Sequence, residues 1–171
     1  MKHLVLALAT AAAVTVSGHT HAGTATATIA VSATVLSSCL VASTPLVFGN
    51  YNGTAATDAT GSATITLICS GTSTATIEMD YGLNPVGTAR RMTSLTSTDK
   101  LAYGLFQPVT AAANAACGAL AVPFGTGLGA SMPVIGLTLT AQVFNVCGNI
   151  PLGQSAALGA YSDLVTVNVT F

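Results

Sequence analysis

The sequence predicts an all-β protein built as a sandwich of short strands. Several stretches alternate apolar and small polar residues with a period of two, the pattern of a strand with one buried face. Clusters of Gly, Pro, Asn and Ser separate these stretches at regular spacing, as turns do. Short strands joined by turns favour two packed sheets. No internal repeat is found in the sequence.

The chain begins with the features of a secretory signal peptide, residues 1–22. The early charge of Lys2 precedes an uncharged apolar run, and Thr20 and Ala22 place small residues at the −3 and −1 positions of a cleavage site. The apolar run is too short to span a membrane. We therefore expect cleavage after Ala22, export from the cytoplasm and a mature chain of residues 23–171.

The first strand pattern, residues 23–36, is unusually long. Ala25, Ala27, Ile29 and Val31 share one parity, and threonine or serine occupies most of the other. At about 3.3 Å per residue, a dozen residues extend to roughly 40 Å, whereas ordinary strands run about five or six residues. This ribbon is too long for most small sheets.

Six further strands follow along the chain. Pro45 interrupts the first of them, which suits an edge position, and Gly136 bends the fifth. The second and third are predicted to form a hairpin around Ser70-Gly71-Thr72. The region 82–92 is predicted to be a loop, and the Ala-, Gly- and Pro-rich residues 108–133 are predicted to be mostly loop. The six predicted strands are 41–51, 62–69, 74–80, 100–107, 134–144 and 163–171.

The last predicted strand carries one apolar face, formed by Val165, Val167, Val169 and Phe171. A sandwich that ends in this strand exposes a sheet edge and one side of its core, and proteins normally cover such an edge. The N-terminal ribbon suits that role, either in its own chain or in a neighbouring copy. From the residues alone both arrangements stay open, and the second would give a head-to-tail polymer.

Export makes Cys39, Cys69, Cys117 and Cys147 candidates for disulfides. Four cysteines allow three pairings, and the sequence alone does not choose among them. Zinc is the alternative, but there is no Cys-x-x-Cys step and the mature chain contains no histidine. We expect two disulfides and no metal or other cofactor.

The residue types argue against enzymatic activity. All three histidines lie in the predicted signal peptide, which removes Ser-His-Asp and Cys-His catalysis. Glu78 and Asp80 share a strand face at a spacing that a glycosidase allows, but we interpret them as a solvated face. Charged residues make up 5% of the chain, and Arg90, Arg91 and Lys100 form no basic patch for nucleic acid or anionic lipid.

Much of the mature chain resembles the spore coat protein U domain family, which includes the archaic (Csu-type) chaperone–usher pilins. The similarity covers residues 37–171 in order and spacing. The matching stretches are Cys39-Leu40-Val41, residues 46–51 and 65–69, Gly82 with Arg90-Arg91-Met92, and residues 101–106, 148–151 and 159–169.

The resemblance implies an incomplete immunoglobulin-like β-sandwich that lacks its last strand and is completed by a donated N-terminal strand. It also implies a Cys39–Cys69 disulfide, whereas the Cys117 and Cys147 pair lies outside the family pattern. Carried over by position, the donor strand is the segment 23–36 with Ala25, Ala27, Ile29 and Val31 as donor residues, and the acceptor groove is bordered by Val165, Val167, Val169 and Phe171.

The implied partners are identical or related subunits, a periplasmic chaperone and an outer-membrane usher. The implied role is a subunit of a surface pilus or fimbria that serves adhesion and biofilm formation. Within the family, a tip adhesin or an outer-coat protein is the alternative. Outside it, the alternative is a secreted carbohydrate-binding module or hydrolase, against which the absence of tryptophan and of mature histidine counts.

Overall fold

The computed structural model describes residues 23–120 and 122–171, so the predicted signal peptide lies outside the described residues. The described residues 23–33 belong to a different unit from residues 34–171. Residues 23–37 form no strand and are exposed throughout. The strand predicted for residues 23–36 is therefore not formed, because a ribbon needs a neighbouring strand to pair its backbone.

The unit of residues 34–171 is all-β, and its described residues contain no helix. Every strand pair is antiparallel. The strands are β1 (Ser38–Ser43), β2 (Ala59–Ser70), β3 (Thr74–Met79), β4 (Arg90–Ser94), β5 (Lys100–Phe106), β6 (Met132–Ile135), β7 (Gln142–Ile150), β8 (Tyr161–Ser162) and β9 (Val167–Thr170).

The strands form two sheets that enclose one core. The larger sheet has six strands in the order β1-β2-β7-β5-β4-β8, and the smaller has three in the order β6-β3-β9. Strands β1 and β9, the first and the last in the chain, are therefore each an edge strand with one paired side. No helix capable of spanning a bilayer is found in the described part of the chain.

The core follows the period-two alternation of the strands. In β2 every second residue from Ala63 to Cys69 is buried, and in β3 Ala75, Ile77 and Met79 are buried in the same way. Full burial of an aliphatic or aromatic side chain stabilises a fold by about 1.5–3 kcal/mol. The largest side chains that are almost completely buried are Phe124, Phe144, Ile65, Leu67, Ile77 and Met132.

Both disulfides join consecutive cysteines. Cys39 is bonded to Cys69, its direct partner in the β1–β2 ladder, and Cys117 is bonded to Cys147. The first bond fixes the edge strand β1 to the sheet. The second ties the loop before β6 to the central strand β7.

Two predictions about strand pairing are wrong. The strands at 62–69 and 74–80 do not form a hairpin, because the chain turns at Gly71, with φ +72°, and passes from the larger sheet to the smaller one. The single strand predicted at 134–144 is two strands, β6 and β7, in different sheets. Gly136, with φ +73°, ends the extended run.

Other predicted boundaries also differ from those found. The predicted loop 82–92 contains the start of β4, whose first residue Arg90 is buried. The predicted strand 41–51 ends as β1 at Ser43, and the predicted strand 163–171 is paired only over β9. The described residues of 108–131 form neither helix nor strand, in agreement with the predicted loop.

Candidate functional site

An open groove with a volume of 490 Å³ lies between the two sheets. One side is formed by residues 43–48, here called the first wall, which follow β1. The other side is formed by residues 161–167, the second wall, which lead into β9. Core side chains form the floor: Ala63, Ile65, Met79, Tyr103, Leu105 and Val146. A seam of the apolar core is thus open to a ligand.

Part of the backbone on each side of the groove has no backbone partner. Among the described residues, the backbone of residues 45–51 makes no hydrogen bond to another backbone group, and neither does that of residues 163–165. Both stretches have a strand-like sequence and were predicted to be strands. Two segments whose backbone donors and acceptors have no backbone partner therefore lie on opposite sides of the groove.

The first wall lies close to the core because two glycines face it. A Cβ at Gly61 would come within 2.8 Å of the Val47 carbonyl oxygen, and one at Gly148 would lie 2.9 Å from Leu46 and Phe48. The Phe48 ring in turn meets the Tyr103 ring edge to face, with 6.0 Å between their centroids. Because Gly61 in β2 and Gly148 in β7 have no side chain, the apolar residues of this wall can pack directly against the two strands.

Two aspartates hold the second wall against the turn after β3. Asp80 Oδ1 accepts hydrogen bonds from the backbone amides of Thr166 and Gly82, at 2.9 and 3.0 Å. Asp163 Oδ1 accepts one from the Leu83 amide at 2.9 Å. A Cβ at Gly82 would collide with the Asp163 carboxylate, so this contact requires glycine there. The second wall is therefore fixed before any ligand binds.

The electrostatics of this cluster favour a fixed wall. Burial opposes ionisation of Asp80, but the amide hydrogen bonds from Thr166 and Gly82 outweigh it and hold the pKa of Asp80 below its usual value. Burial, and then the hydrogen bond to Asp163, raises the pKa of Tyr103. The phenol therefore stays protonated at neutral pH and donates its proton to Asp163 Oδ2 at 2.7 Å.

Arg90 is a buried cation behind the second wall, with 4% of its surface exposed. Its guanidinium donates to the backbone carbonyls of Asp80 and Met79 and lies 5.2 Å from the centre of the Tyr81 ring. Burial lowers the pKa of Arg90, and the nearby Tyr103 opposes this shift. The guanidinium therefore donates its hydrogen bonds within the fold.

The structure places the predicted acceptor residues unequally. Val165 and Val167 line the groove, whereas Val169 packs against the core and does not line it. Phe171 is 48% exposed and also lies outside the groove lining. The residues that sequence reasoning missed are Leu46 and Phe48 on the first wall and Tyr103 and Leu105 on the floor. The signal that could have identified them is the alternation of apolar and polar residues within the predicted strands.

The predicted donor residues are exposed. Ile29 and Val31 expose 87% and 90% of their surface, and Ala25 and Ala27 are exposed as well. No charged residue occurs in the predicted donor segment 23–36. An uncharged ribbon with one apolar face is thus available for contact.

The remaining carboxylates serve the fold. Glu78 accepts a hydrogen bond from the Gly127 amide at 2.9 Å, which holds the loop after Phe124, while Asp80 holds the second wall. Within residues 23–120 and 122–171 there is no cluster of three or more metal-binding side chains. The chemistry that the site offers is the burial of apolar side chains and the pairing of an extended backbone.

These features define an all-β sandwich with an open seam between its first and last strands. The chain belongs to the Spore Coat Protein U domain family, whose profile matches residues 25–168. It is 32% identical over 137 residues to Protein U of Myxococcus xanthus, which covers 74% of this chain and 71% of that relative.

A solved structure of a pilus subunit complex shows the same fold. The complex of the chaperone CsuC with the tip adhesion subunit CsuE, from the archaic chaperone–usher Csu pili of Acinetobacter baumannii, matches with a TM-score of 0.58 at 22% identity. The match covers 81% of this chain and 41% of that chain. A chaperone–tip adhesin complex of CFA/I fimbriae gives a TM-score of 0.43 at 11% identity, over 65% of this chain and 34% of that one. The open groove and the match to the Csu pilus structure identify the fold as an incomplete immunoglobulin-like sandwich.

Proposed function

We propose that this protein is a structural subunit without enzymatic activity, part of a surface pilus or fimbria. In this proposal, the open groove of each subunit binds the N-terminal segment of the next copy, and repetition of this contact builds a head-to-tail filament. Such a heterologous contact does not close on itself and therefore grows linearly. The filament would serve adhesion and biofilm formation.

One observation carries the proposal: among the described residues, a strand-like stretch on each side of the groove, residues 45–51 and residues 163–165, makes no backbone–backbone hydrogen bond. A strand inserted between them pairs with both walls at once and covers the exposed core. This is β-strand addition, a mode for which the general example is donor-strand complementation between a chaperone and a pilin. Pairing with an inserted strand also explains why both walls have strand-like sequences.

The segment 23–36 is the donor in this proposal. Its side chains at Ala25, Ala27, Ile29 and Val31 share one parity, so all four face the groove when the ribbon is extended. Burial of exposed residues such as Ile29 and Val31 stabilises the contact by about 1.5–3 kcal/mol for each side chain. Because the ribbon is uncharged, its insertion desolvates no charge of its own.

The same groove suggests the other partners. Before assembly an open core seam invites aggregation, and a periplasmic chaperone that fills it first removes this hazard. An outer-membrane usher would then exchange the chaperone for the donor of the next subunit. The signal peptide proposed for residues 1–22 and the two disulfides fit export to an oxidising compartment.

Charged substitutions on the two faces of the donor test the proposal. Ile29→Asp with Val31→Asp places charges on the apolar face, whereas Thr28→Asp with Ser32→Asp places them on the opposite face as a matched control. Both variants are expressed with the native neighbouring genes, and surface filaments are counted by electron microscopy. We expect filaments to disappear in the first variant and to persist in the second. Filaments of normal length in both variants would exclude the donor role.

A coat protein that does not form filaments is the second candidate. The 32% identity to Protein U of Myxococcus xanthus and the membership of the Spore Coat Protein U domain family favour it. Immunogold labelling of cells separates the two candidates, because a pilus subunit labels thin filaments and a coat protein labels a continuous surface layer. A surface layer that persists in the variant with Ile29→Asp and Val31→Asp would favour the coat.

A further inference from the structure

A long connection joins β5 to β6 and is here called the strap, residues 107–131. Its described residues form neither helix nor strand. Connections longer than about 12–15 residues without secondary structure are uncommon in compact domains and often have a function of their own. The strap contains Cys117, whose disulfide the proposed function does not use.

The first part of the strap lies along the central strand β7. The contacts are the Asn114 amide to the Val143 carbonyl at 2.7 Å, the Asn145 side chain to the Ala115 carbonyl at 2.8 Å, and the Cys117–Cys147 disulfide. Phe144 and Val146, which alternate with these β7 residues, are buried in the core. The first part of the strap therefore covers the opposite, outer face of β7.

The second part of the strap bridges the two sheets. The Phe124 amide donates to the Leu105 carbonyl of β5 at 2.8 Å, and the Gly125 carbonyl accepts from the Met79 amide of β3 at 3.1 Å. Strand β5 belongs to the larger sheet and β3 to the smaller one. The side chain of Phe124 is completely buried. This part is therefore held by core packing as well as by hydrogen bonds.

The first part has much weaker non-covalent restraints. Residues 109–120 are each exposed or half-buried, and Ala111 packs only partly against the core. Segments with few buried apolar contacts and exposed backbone open locally at low free-energy cost. The disulfide is therefore the main restraint on residues 109–120.

The two disulfides differ in how a thiol reaches them. Cys117 is exposed, whereas its partner Cys147 is almost completely buried, so an attacking thiolate reaches the sulfur of Cys117. Cys39 is half-buried, Cys69 is buried, and the two are also paired in the β1–β2 ladder. Exposed disulfides are in general the labile or regulatory ones.

We propose that the Cys117–Cys147 disulfide is a site of reversible thiol–disulfide exchange with a dithiol, and that its reduction releases residues 109–120 from the outer face of β7. A thiolate of the dithiol attacks Sγ of Cys117, and the electron pair of the broken S–S bond goes to Sγ of Cys147, which takes up a proton. The second thiol of the dithiol then attacks the mixed disulfide and sets Cys117 free as a thiol. The dithiol leaves as a disulfide, and the exchange does not depend on filament assembly.

Graded reduction of the purified chain tests the exchange site. Dithiothreitol is the reductant, free thiols are alkylated, and mass spectrometry locates them, with Cys39–Cys69 as the control bond in the same molecule. We expect Cys117–Cys147 to be half reduced at a dithiothreitol concentration at least about tenfold lower than Cys39–Cys69. Reduction of both bonds together, or of Cys39–Cys69 first, would overturn the proposal.

A monothiol identifies the sulfur that is attacked. With reduced glutathione we expect a mixed disulfide on Cys117 and a free, alkylated thiol on Cys147. A glutathione adduct on Cys147 instead would overturn the assignment of the attacked sulfur. A reduced protein of the thioredoxin class, used in place of dithiothreitol, separates the sources of the dithiol. Reduction by this protein indicates a protein partner, and reduction by dithiothreitol alone indicates a small thiol.

Limited proteolysis tests the release of the strap. A protease that cleaves after small residues is added to the oxidised and the partly reduced chain, and the exposed residues 23–36 serve as an internal reference that is cut in both. We expect cleavage within residues 109–120 to become at least about tenfold faster on reduction, while β2 and β7 stay intact. Unchanged cleavage, or cleavage that spreads into β7, would overturn the release.

The variant with Cys117→Ser and Cys147→Ser repeats the test without a reductant. We expect it to be cleaved within residues 109–120 as fast as the reduced wild type. Resistance equal to that of the oxidised wild type would contradict the proposal. If this variant does not fold, the partly reduced wild type still decides between the two outcomes.

Discussion

The phenol of Tyr103 donates a 2.7 Å hydrogen bond to the carboxylate of Asp163, which joins the floor of the groove to its second wall. The other oxygen of the same carboxylate accepts a hydrogen bond from the backbone amide of Leu83. Because both bonds arise within the chain, the second wall keeps its position when the groove is empty. A preformed wall lowers the entropic cost of inserting a strand.

Tyr103→Phe removes this bond and keeps the ring. We expect the free energy of unfolding of the purified mature chain to fall by about 1.5–3 kcal/mol, because a part-buried hydrogen bond to a carboxylate acceptor is lost. Tyr161→Phe is the control, since its hydroxyl donates to the Ala157 carbonyl in an exposed setting and contributes about 0.5–1.5 kcal/mol. Denaturant titration measures both. Equal losses in the two variants would contradict a special role for the Tyr103–Asp163 bond.

The stability of the domain is expected to depend on Asp80 at acid pH. Its folded-state pKa lies below the unfolded value of about 3.9, so its charge stabilises the fold fully above that value, and this contribution is lost as the pH falls through the folded-state pKa. Asp80→Asn keeps the shape of the side chain and removes the charge. The difference in unfolding free energy between the wild type and the variant should be constant near neutral pH and shrink below about pH 4. A difference that does not vary with pH would contradict this assignment.

Gly61→Ala is expected to displace the first wall. The added methyl group meets the Val47 carbonyl oxygen at 2.8 Å, and a backbone atom moves less easily than a side-chain end. We expect a loss of about 1–3 kcal/mol in unfolding free energy, typical of overpacking. Gly23→Ala, which meets nothing within 4 Å, is the control and should leave stability unchanged. A neutral result for Gly61→Ala would show that the first wall is free to move.

Removal of the Cys39–Cys69 disulfide by Cys39→Ala with Cys69→Ala is expected to destabilise the domain by about 3–4 kcal/mol on the chain-entropy model, because the bond closes a loop with a sequence separation of 30 residues. The Cys117–Cys147 bond has the same separation, so its removal should have an effect of similar size. Thermal unfolding of both double variants measures this. A far smaller effect for the second bond would indicate that the loop before β6 is already restrained by Phe124.

The alternation of apolar residues identified the buried faces well. In β2 it marks every second residue from Ala63 to Cys69, and in β3 it marks Ala75, Ile77 and Met79, and all of these are buried. The alternation did not identify which sheet a strand joins. A period of two shows which side chains share a face of a strand, but it does not show which other strand is hydrogen-bonded to it. The turn at Gly71 therefore looked like a hairpin, although it carries the chain from one sheet to the other.

The candidate site was only partly predictable for the same reason. Val165 and Val167 belong to a clear strand pattern and do line the groove. Leu46 and Phe48 lie in a predicted strand, but the sequence pattern does not place them in the groove. Their position over Gly61 and Gly148 depends on contacts between residues that are distant in sequence. Phe124, whose exposure is 0%, follows a proline in a loop without periodicity, so no local pattern marks it as core.

The position of the first disulfide has a mechanical consequence. Cys39 is the second residue of β1, and its bond leads directly into β2, which is paired on its other side with β7. Tension applied to the chain before Ser38 therefore passes through a covalent link into the interior of the six-stranded sheet. Beyond the disulfide, the hydrogen bonds of β1 therefore cannot break one after another under this tension. A domain under tension must either stay folded or unfold cooperatively.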